Sequence, residues 1–482
     1  MRKTERLSNM SQIKALTNLW GDSRLQRSVL CNLPTIVLSM LTLTCSAMVS
    51  ASHASDERAP VSPKAETRIL SDQEAWTLLP ELKSGDKGVL PNWAKVVAVQ
   101  MPRTAAAMLQ LDAAHRLHSP LEPALRAKLR WTVANANRCN YSKATALYDL
   151  RLANASETSI EDVSKLAGAE RDAIELVRLL TLAAPTIPDE LFARLREHYG
   201  ERGVAAMVLL AAYGNFQDRI LLGLNIPIEA SGPLAALKVE FVDGALQLAP
   251  LLPPENGAAV YIDADKPVVP RDNDWMSVSY NQLQARLEKQ RDRQPRLPIP
   301  SWEEVKAKLP REMAASPTAI RWSLINYGYA HELAIPWTIS TRTHWAECPA
   351  ERILEESLFW VQTRAIDCNY CMGHCEMLFQ VAGMDKLATA KRTRMLAESD
   401  WSSFPPAEQR AYAFAKKLSR EPWEMTAADY RSLESDFGPK KAMGIFWWLC
   451  RGLYMTRISD GFQLPLEREN VFDNHAPVEV KK

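Results

Sequence analysis

The sequence predicts an all-α molecule made of two tandem helical domains. Apolar residues recur at three- and four-residue steps in six segments, two short stretches each occur twice in the same order, and a single segment carries a strand signal. With 47% hydrophobic and 24% charged residues, and only 18 Gly and 30 Pro in 482, the chain can bury ordinary cores. Its 58 Lys+Arg against 57 Asp+Glu, a formal +1, lack the basic excess of a general nucleic-acid binder, so no nucleic-acid partner is expected.

The N-terminal residues read as an address. No charged residue occurs from Ser28 to Ser55, and the apolar stretch Leu33–Val49 follows Arg2, Lys3, Arg6, Lys14, Arg24 and Arg27. That is the pattern of a secretory signal peptide, assigned to 1–54, with small residues before Ala51 and Ala54 as cleavage sites. Export to a periplasmic or extracellular compartment is the first expectation. An uncleaved membrane anchor is the runner-up, since 17 residues is at the short edge of a spanning helix. A lipoprotein at Cys45 fits less well, because Thr44 stands where a small residue usually precedes the Cys. Cleavage near Ala54 removes six basic and two acidic residues and leaves a formal −3. Residues 55–69 (with DERAPVSP) read as a flexible mature N-terminus.

A degenerate domain over 70–230 follows. Its helices are Leu121–Arg138, Glu170–Ala184, Asp189–Gly200 and Gly203–Phe216, with Gly200 suited to a C-cap. From 231 to 299 the composition turns Pro-rich and irregular, which reads as a linker. Within it VEFV and ALQL flank Asp243-Gly244, a β-hairpin signal, and Gln282–Gln294 is a charged helical stretch. A second domain spans 300–472, with helices over Ala350–Ala365 and Ala407–Arg420, Pro349 suited to a first turn and Gly383 to a C-cap. Residues 473–482 form a tail.

The repeat rests on two correspondences. Arg138-Cys139-Asn140-Tyr141-Ser142 recurs 229 residues later as Asp367-Cys368-Asn369-Tyr370-Cys371. Tyr213–Glu229 then aligns with Arg451–Glu467 at an offset of 238, matching Arg219 with Arg457, Gly223 with Gly461, Pro227 with Pro465 and Glu229 with Glu467.

Chemistry concentrates in the second copy, where Glu356, Cys368, Cys371 and His374 are spaced for thiol redox work. Two Cys three apart at a helix start can close a disulfide, and the helix dipole favours a thiolate there. Asp367 is the expected N-cap of that helix. His374 lies one turn beyond Cys371, placed to take its proton, and Glu356 could orient that imidazole. One unbroken helix would hold Glu356 and Cys371 about 22 Å apart, fifteen residues at about 1.5 Å each. The chain must therefore break around Arg364–Asp367.

At these residues the sequence resembles the carboxymuconolactone decarboxylase, alkylhydroperoxidase-D-like family, whose redox-active branch carries Glu-x11-Cys-x2-Cys-x2–3-His in an all-helical domain. The resemblance covers roughly 70–230 and 300–472, and the Arg-Ile…Gly…Pro…Glu tails are similar to the family's C-terminal helix. It implies a peroxiredoxin-like enzyme with no cofactor, whose partners are a hydroperoxide substrate and a thiol reductant, and which assembles as a homo-oligomer. By position it implies that Cys371 attacks the peroxide, Cys368 forms the disulfide, and His374 with Glu356 relays protons. The dipole argument alone favours Cys368 as the more acidic thiol. Tyr370 departs from members that have a second His there. In the first copy Ala127, Ser142 and Thr145 replace Glu356, Cys371 and His374 while Cys139 remains, so that copy is expected to supply packing surface.

Two rival functions stand beside this one: a protein dithiol/disulfide exchange enzyme, and a non-catalytic helical binding module whose Cys cluster is structural or zinc-bound. Cys368, Cys371, His374 and Cys375 are acceptable zinc ligands, but on one helix they form a stripe rather than a tetrahedron. Covalent haem would need His where Met372 stands. Cys348 and Cys450 read as core thiols or a bridge, Cys375 as a buried helix Cys, and Trp360, Trp447 and Trp448 as core. His115, His118 and His331 read as surface or loop residues, and His344 as one that could reach the active pocket.

Overall fold

The structure is a computed structural model that describes residues 68–157, 168–249 and 259–473. The expected signal segment 1–54 lies outside the described residues, as do residues 55–67 of the expected mature N-terminus and 474–482 of the tail. All described residues belong to one compact unit, and it is mostly helical. Its first half carries α1 (Asp72–Leu78), α2 (Asn92–Ala98), α3 (Pro102–Leu117), α4 (Pro123–Ala136), α5 (Asn140–Leu152), α6 (Gly168–Leu182) and α7 (Asp189–Gly223). After α8 (Tyr280–Arg291) come α9 (Trp302–Lys306), α10 (Arg311–Ala314), α11 (Arg321–Glu347), α12 (Arg352–Ala365), α13 (Asn369–Val381), α14 (Lys386–Ala397), α15 (Pro406–Arg420), α16 (Ala427–Phe437) and α17 (Pro439–Gly461). No helix among the described residues is long and apolar enough to cross a membrane.

Local chemistry starts these helices. Ser71 with Glu74, Ser279 with Gln282, Ser301 with Glu304 and Thr426 with Asp429 form reciprocal capping boxes, each satisfying N–H groups the first turn leaves unpaired. Glu122 does the same for α4, accepting from the N–H groups of Ala124 and Leu125. Pro349 lies outside α12, whose N-cap is Glu351.

The backbone repeats itself at the offsets found in the sequence. Arg138 and Asp367 have φ of 57° and 59°, Gly200 and Gly438 69° and 76°, Asn225 and Gln463 50° and 54°. Met101 (φ −140°, ψ 67°) is echoed by Ala330 (φ −146°, ψ 53°), which breaks α11 internally. Where the halves meet, contacts are exchanged reciprocally. A Cβ on Gly223 would lie 2.4 Å from the Phe446 ring, and one on Gly461 2.8 Å from Val208, at the matching position. The Arg219 guanidinium donates to Ser419 O (3.3 Å), and that of Arg457 to Thr181 O (3.0 Å). One apolar core runs through both halves.

Two local expectations are corrected. The β-hairpin does not form: β2 (Glu240–Phe241) pairs antiparallel with β1 (Leu82–Ser84), Leu82 facing Phe241, and Lys83 bonds Asp243 across the pair at 3.1 Å. A turn signal is local and could not reveal a partner so distant in sequence. Asp367 is not an N-cap, because its positive φ puts it before the helix and Cys368 takes the cap position. In the described part of 231–299, Val239, Phe241, Val269, Trp275, Leu283, Leu287 and Leu297 are buried in the common core and α8 packs on α13.

Candidate active site

The chain does break between the Glu-bearing and Cys-bearing helices. α12 ends in a Schellman motif: Cys368 N–H donates to Thr363 O (2.9 Å) and Asp367 N–H to Arg364 O (3.3 Å), with Asp367 left-handed between them. The reversal folds α13 back against α12, and Cys368 becomes the first residue of the returning segment. Arg138 and Cys139 make the same turn in the first half, with Cys139 N–H on Ala134 O at 2.8 Å.

A cavity of about 100 Å³ opens at this junction, and Glu356, Cys371 and His374 all line it. Cys368 does not. It is fully buried behind Cys371, donates to Thr456 O at 3.9 Å and lies against the Cys371 thiol. Burial, reinforced by Cys371 and Asp460, pushes its thiol well up. Cys371 Sγ is 3.3 Å from Ser459 Oγ, whose own hydrogen goes to Met455 O, so at rest the thiol donates to the hydroxyl. All six described cysteines are unbridged, including Cys348 and Cys450.

The imidazole and the expected glutamate share the cavity without hydrogen bonding. His374 Nε2 pairs instead with Glu467 Oε2 at 2.8 Å. The other oxygen of Glu467 accepts from Tyr370 OH (2.9 Å) and from the N–H of Arg321 (3.0 Å). Burial works to raise the Glu467 carboxyl, but the charge and hydrogen bond of His374 and the backbone donors hold it below the usual carboxylate range. Glu356 is held by Arg352 Nη1 at 3.4 Å, and its Oε2 has no partner. Burial pushes its carboxyl up against the opposing charges of Arg352 and Arg451, and the Cys375 thiol is its neighbour.

The first half serves as an internal control. Glu229 accepts from Tyr141 OH and from the N–H of Asn92, as Glu467 does from Tyr370 and Arg321, so this glutamate arrangement is common to both halves, whereas the His is present in the second alone. Around Ala127 and Thr145 the space shrinks to about 20 Å³. There Arg130, paired with Asp218, donates to Ser142 Oγ at 2.7 Å and occupies the room that the second half leaves open.

Two residues escaped the sequence reading. Glu467 was visible only as part of the repeated tail. Asp460, also in that tail, lies beside the Cys368 thiol; burial, partly offset by Arg457 and by the hydrogen bond with Cys368, raises its carboxyl to about 7. Leu222 stands at the matching position of the first half, as Leu221 does for Ser459. A polar pair replaced by two leucines where the second thiol is also missing was the available signal.

The remaining candidates resolve plainly. His344 is fully buried, bonded to Gly444 O (3.1 Å), stacked on Trp447 and pushed down to about 3 by burial, and it does not line the cavity. His115 is buried too rather than superficial, stacked on Tyr213. His118 is exposed and His331 half-buried. Trp360 and Trp447 are core, whereas Trp448 forms part of the cavity wall. Among the described residues no group of three His, Cys, Asp or Glu side chains is arranged to hold a metal ion. No family model matches the chain, and no curated protein matches it significantly.

Proposed function

We propose that the chain is a peroxiredoxin-like thiol oxidoreductase of the alkylhydroperoxidase-D-like, carboxymuconolactone decarboxylase kind. In this reading it is two tandem helical domains, of which the first is degenerate and packs on the second as a neighbouring subunit would. One observation carries the reading: Cys371 faces a cavity that His374 also lines, and the Cys368 thiol lies directly behind it.

The chemistry follows from that order. The Cys371 proton passes to His374, whose positive form Glu467 stabilises across 2.8 Å. The thiolate attacks the terminal peroxide oxygen, the O–O bond breaks, and the alkoxide leaves as alcohol with the proton returned by His374. Cys371 is now a sulfenic acid. Cys368 passes its proton to Asp460 and attacks the sulfenic sulfur, the S–O bond breaks as the disulfide forms, and the leaving hydroxide takes that proton from Asp460 to depart as water. A thiol reductant from outside the chain resets the pair. Exchange with a protein disulfide fits less well, because neither sulfur reaches the surface: Cys371 is 3% exposed and Cys368 0%. In this reading the N-terminal segment is an export signal that sends the enzyme to a periplasmic or extracellular compartment, or holds it on a membrane if uncleaved.

Stopped-flow mixing of the reduced protein with cumene hydroperoxide tests this. Two thiols per chain should be lost in the wild type and none in Cys371→Ser. Equal thiol loss in both would refute the assignment.

A further inference from the structure

The cavity in front of Cys371 is larger than a hydroperoxide group needs, since about 10–15 Å³ of such space already holds a water and this one encloses about 100 Å³. Its walls are chiefly aromatic and aliphatic: Trp302, Trp322, Leu309, Met313, Leu378 and Phe472.

The polar atoms on its lining are unequally served. Arg352 is engaged by Glu355 and Glu356, each at 3.4 Å. The Arg451 guanidinium has no hydrogen-bond acceptor among the described residues, and its Nε is buried without a partner. It lies flat over the Trp448 and Trp345 rings, 4.2 and 5.4 Å from their centroids. Trp345 Nε1 and Thr341 Oγ1, also on the lining, are buried and unpartnered. These three groups can all donate. Glu356 Oε2 is the unpartnered acceptor nearby, and burial drives that carboxyl toward its protonated form.

Burial lowers the Arg451 guanidinium to about 10, offset only by the through-space charges of Glu356, Glu355 and Cys371, so leaving it without a hydrogen-bond acceptor is costly. The scaffold does not demand it: Tyr213 fills the matching place in the first half and donates to Asp112 at 2.7 Å. A planar fork of donors beside an N–H and a hydroxyl matches a carboxylate.

We propose that this cavity binds a compact apolar organic carboxylate, with its carboxylate on Arg451, Trp345 and Thr341 and its apolar body among Trp302, Trp322, Met313 and Phe472. Joined to the redox reading above, on which this last step rests, the substrate is the hydroperoxide of such an acid, its peroxide group turned toward Cys371.

Binding can be measured without turnover. The probes are 4-isopropylbenzoate and its neutral amide, titrated into the reduced full chain at pH 7.5 by calorimetry, with quenching of the cavity tryptophans as a second readout. The acid should bind at least about tenfold more tightly than the amide. Arg451→Gln should erase that difference and leave the amide within about twofold, and Arg451→Lys should restore part of it. Equal binding of acid and amide, binding of neither, or an unchanged acid affinity in a folded Arg451→Gln overturns the proposal. Should that variant not fold, the acid–amide comparison on the wild type decides alone. Acid binding without peroxide-driven thiol loss would sink the redox reading and spare this one, and the reverse pattern would do the opposite.

Discussion

Asp460 is the residue whose chemistry the fold alone creates. On an exposed chain its carboxyl would titrate near 3.9, but buried beside Cys368 it titrates at about 7. Only the ionised form can take the Cys368 proton, so disulfide closure should accelerate as pH rises through about 7. In Asp460→Asn that limb should vanish, while the preceding oxidation of Cys371, followed by trapping the sulfenic acid with dimedone, keeps its rate. Stability moves the other way. A group whose folded value lies above its unfolded one contributes fully below about pH 4 and loses that contribution as pH rises through about 7. Asp460→Asn should therefore gain roughly 2–4 kcal/mol on wild type at pH 8 in urea unfolding, and little at pH 4. A variant that closes its disulfide at the wild-type rate would remove Asp460 from the mechanism.

At the scale of elements, the contact of α13 with the C-terminal tail sets the site. Gly373 lies between Cys371 and His374, and a Cβ there would sit 2.3 and 2.8 Å from the Leu466 methyls and 3.2 Å from its Cγ. Leu466 is fully buried and immediately precedes Glu467, so it cannot swing aside without moving the carboxylate off His374. Gly373→Ala should cost about 1–3 kcal/mol and slow peroxide oxidation of Cys371; unchanged melting and oxidation would show that the tail has slack. The break in the chain was legible from helix rise once Glu356 and Cys371 are taken to share one site. The N-cap was misplaced by one residue because Asp favours caps and left-handed turns alike, and only the Schellman bonds decide between them.

At the scale of the molecule, the reciprocal contacts bind the halves as one body. Gly223 meets Phe446 where Gly461 meets Val208, and Arg219 and Arg457 each cap a carbonyl of the other half. Phe216, Trp337 and Trp447 stack across the junction in edge and face contacts. A fragment beginning at residue 266 strips α17 of its α7 partner and exposes a broad apolar face. It should fail to remain a soluble monomer, either precipitating or pairing with itself, as sedimentation would show. A well-folded monomeric fragment would mean that the first half is dispensable packing.

Helical periodicity, the doubled Cys and tail stretches, and the spacing of Glu356, Cys368, Cys371 and His374 were legible in the sequence, because helices and turns are set by neighbours a few residues away. Which carboxylate holds His374, which thiol faces the cavity, which strand pairs with Glu240–Phe241, and that Arg451 is left without a partner were decided only by the tertiary structure. Each depends on groups about 90 or more residues apart, and on burial that no local pattern encodes.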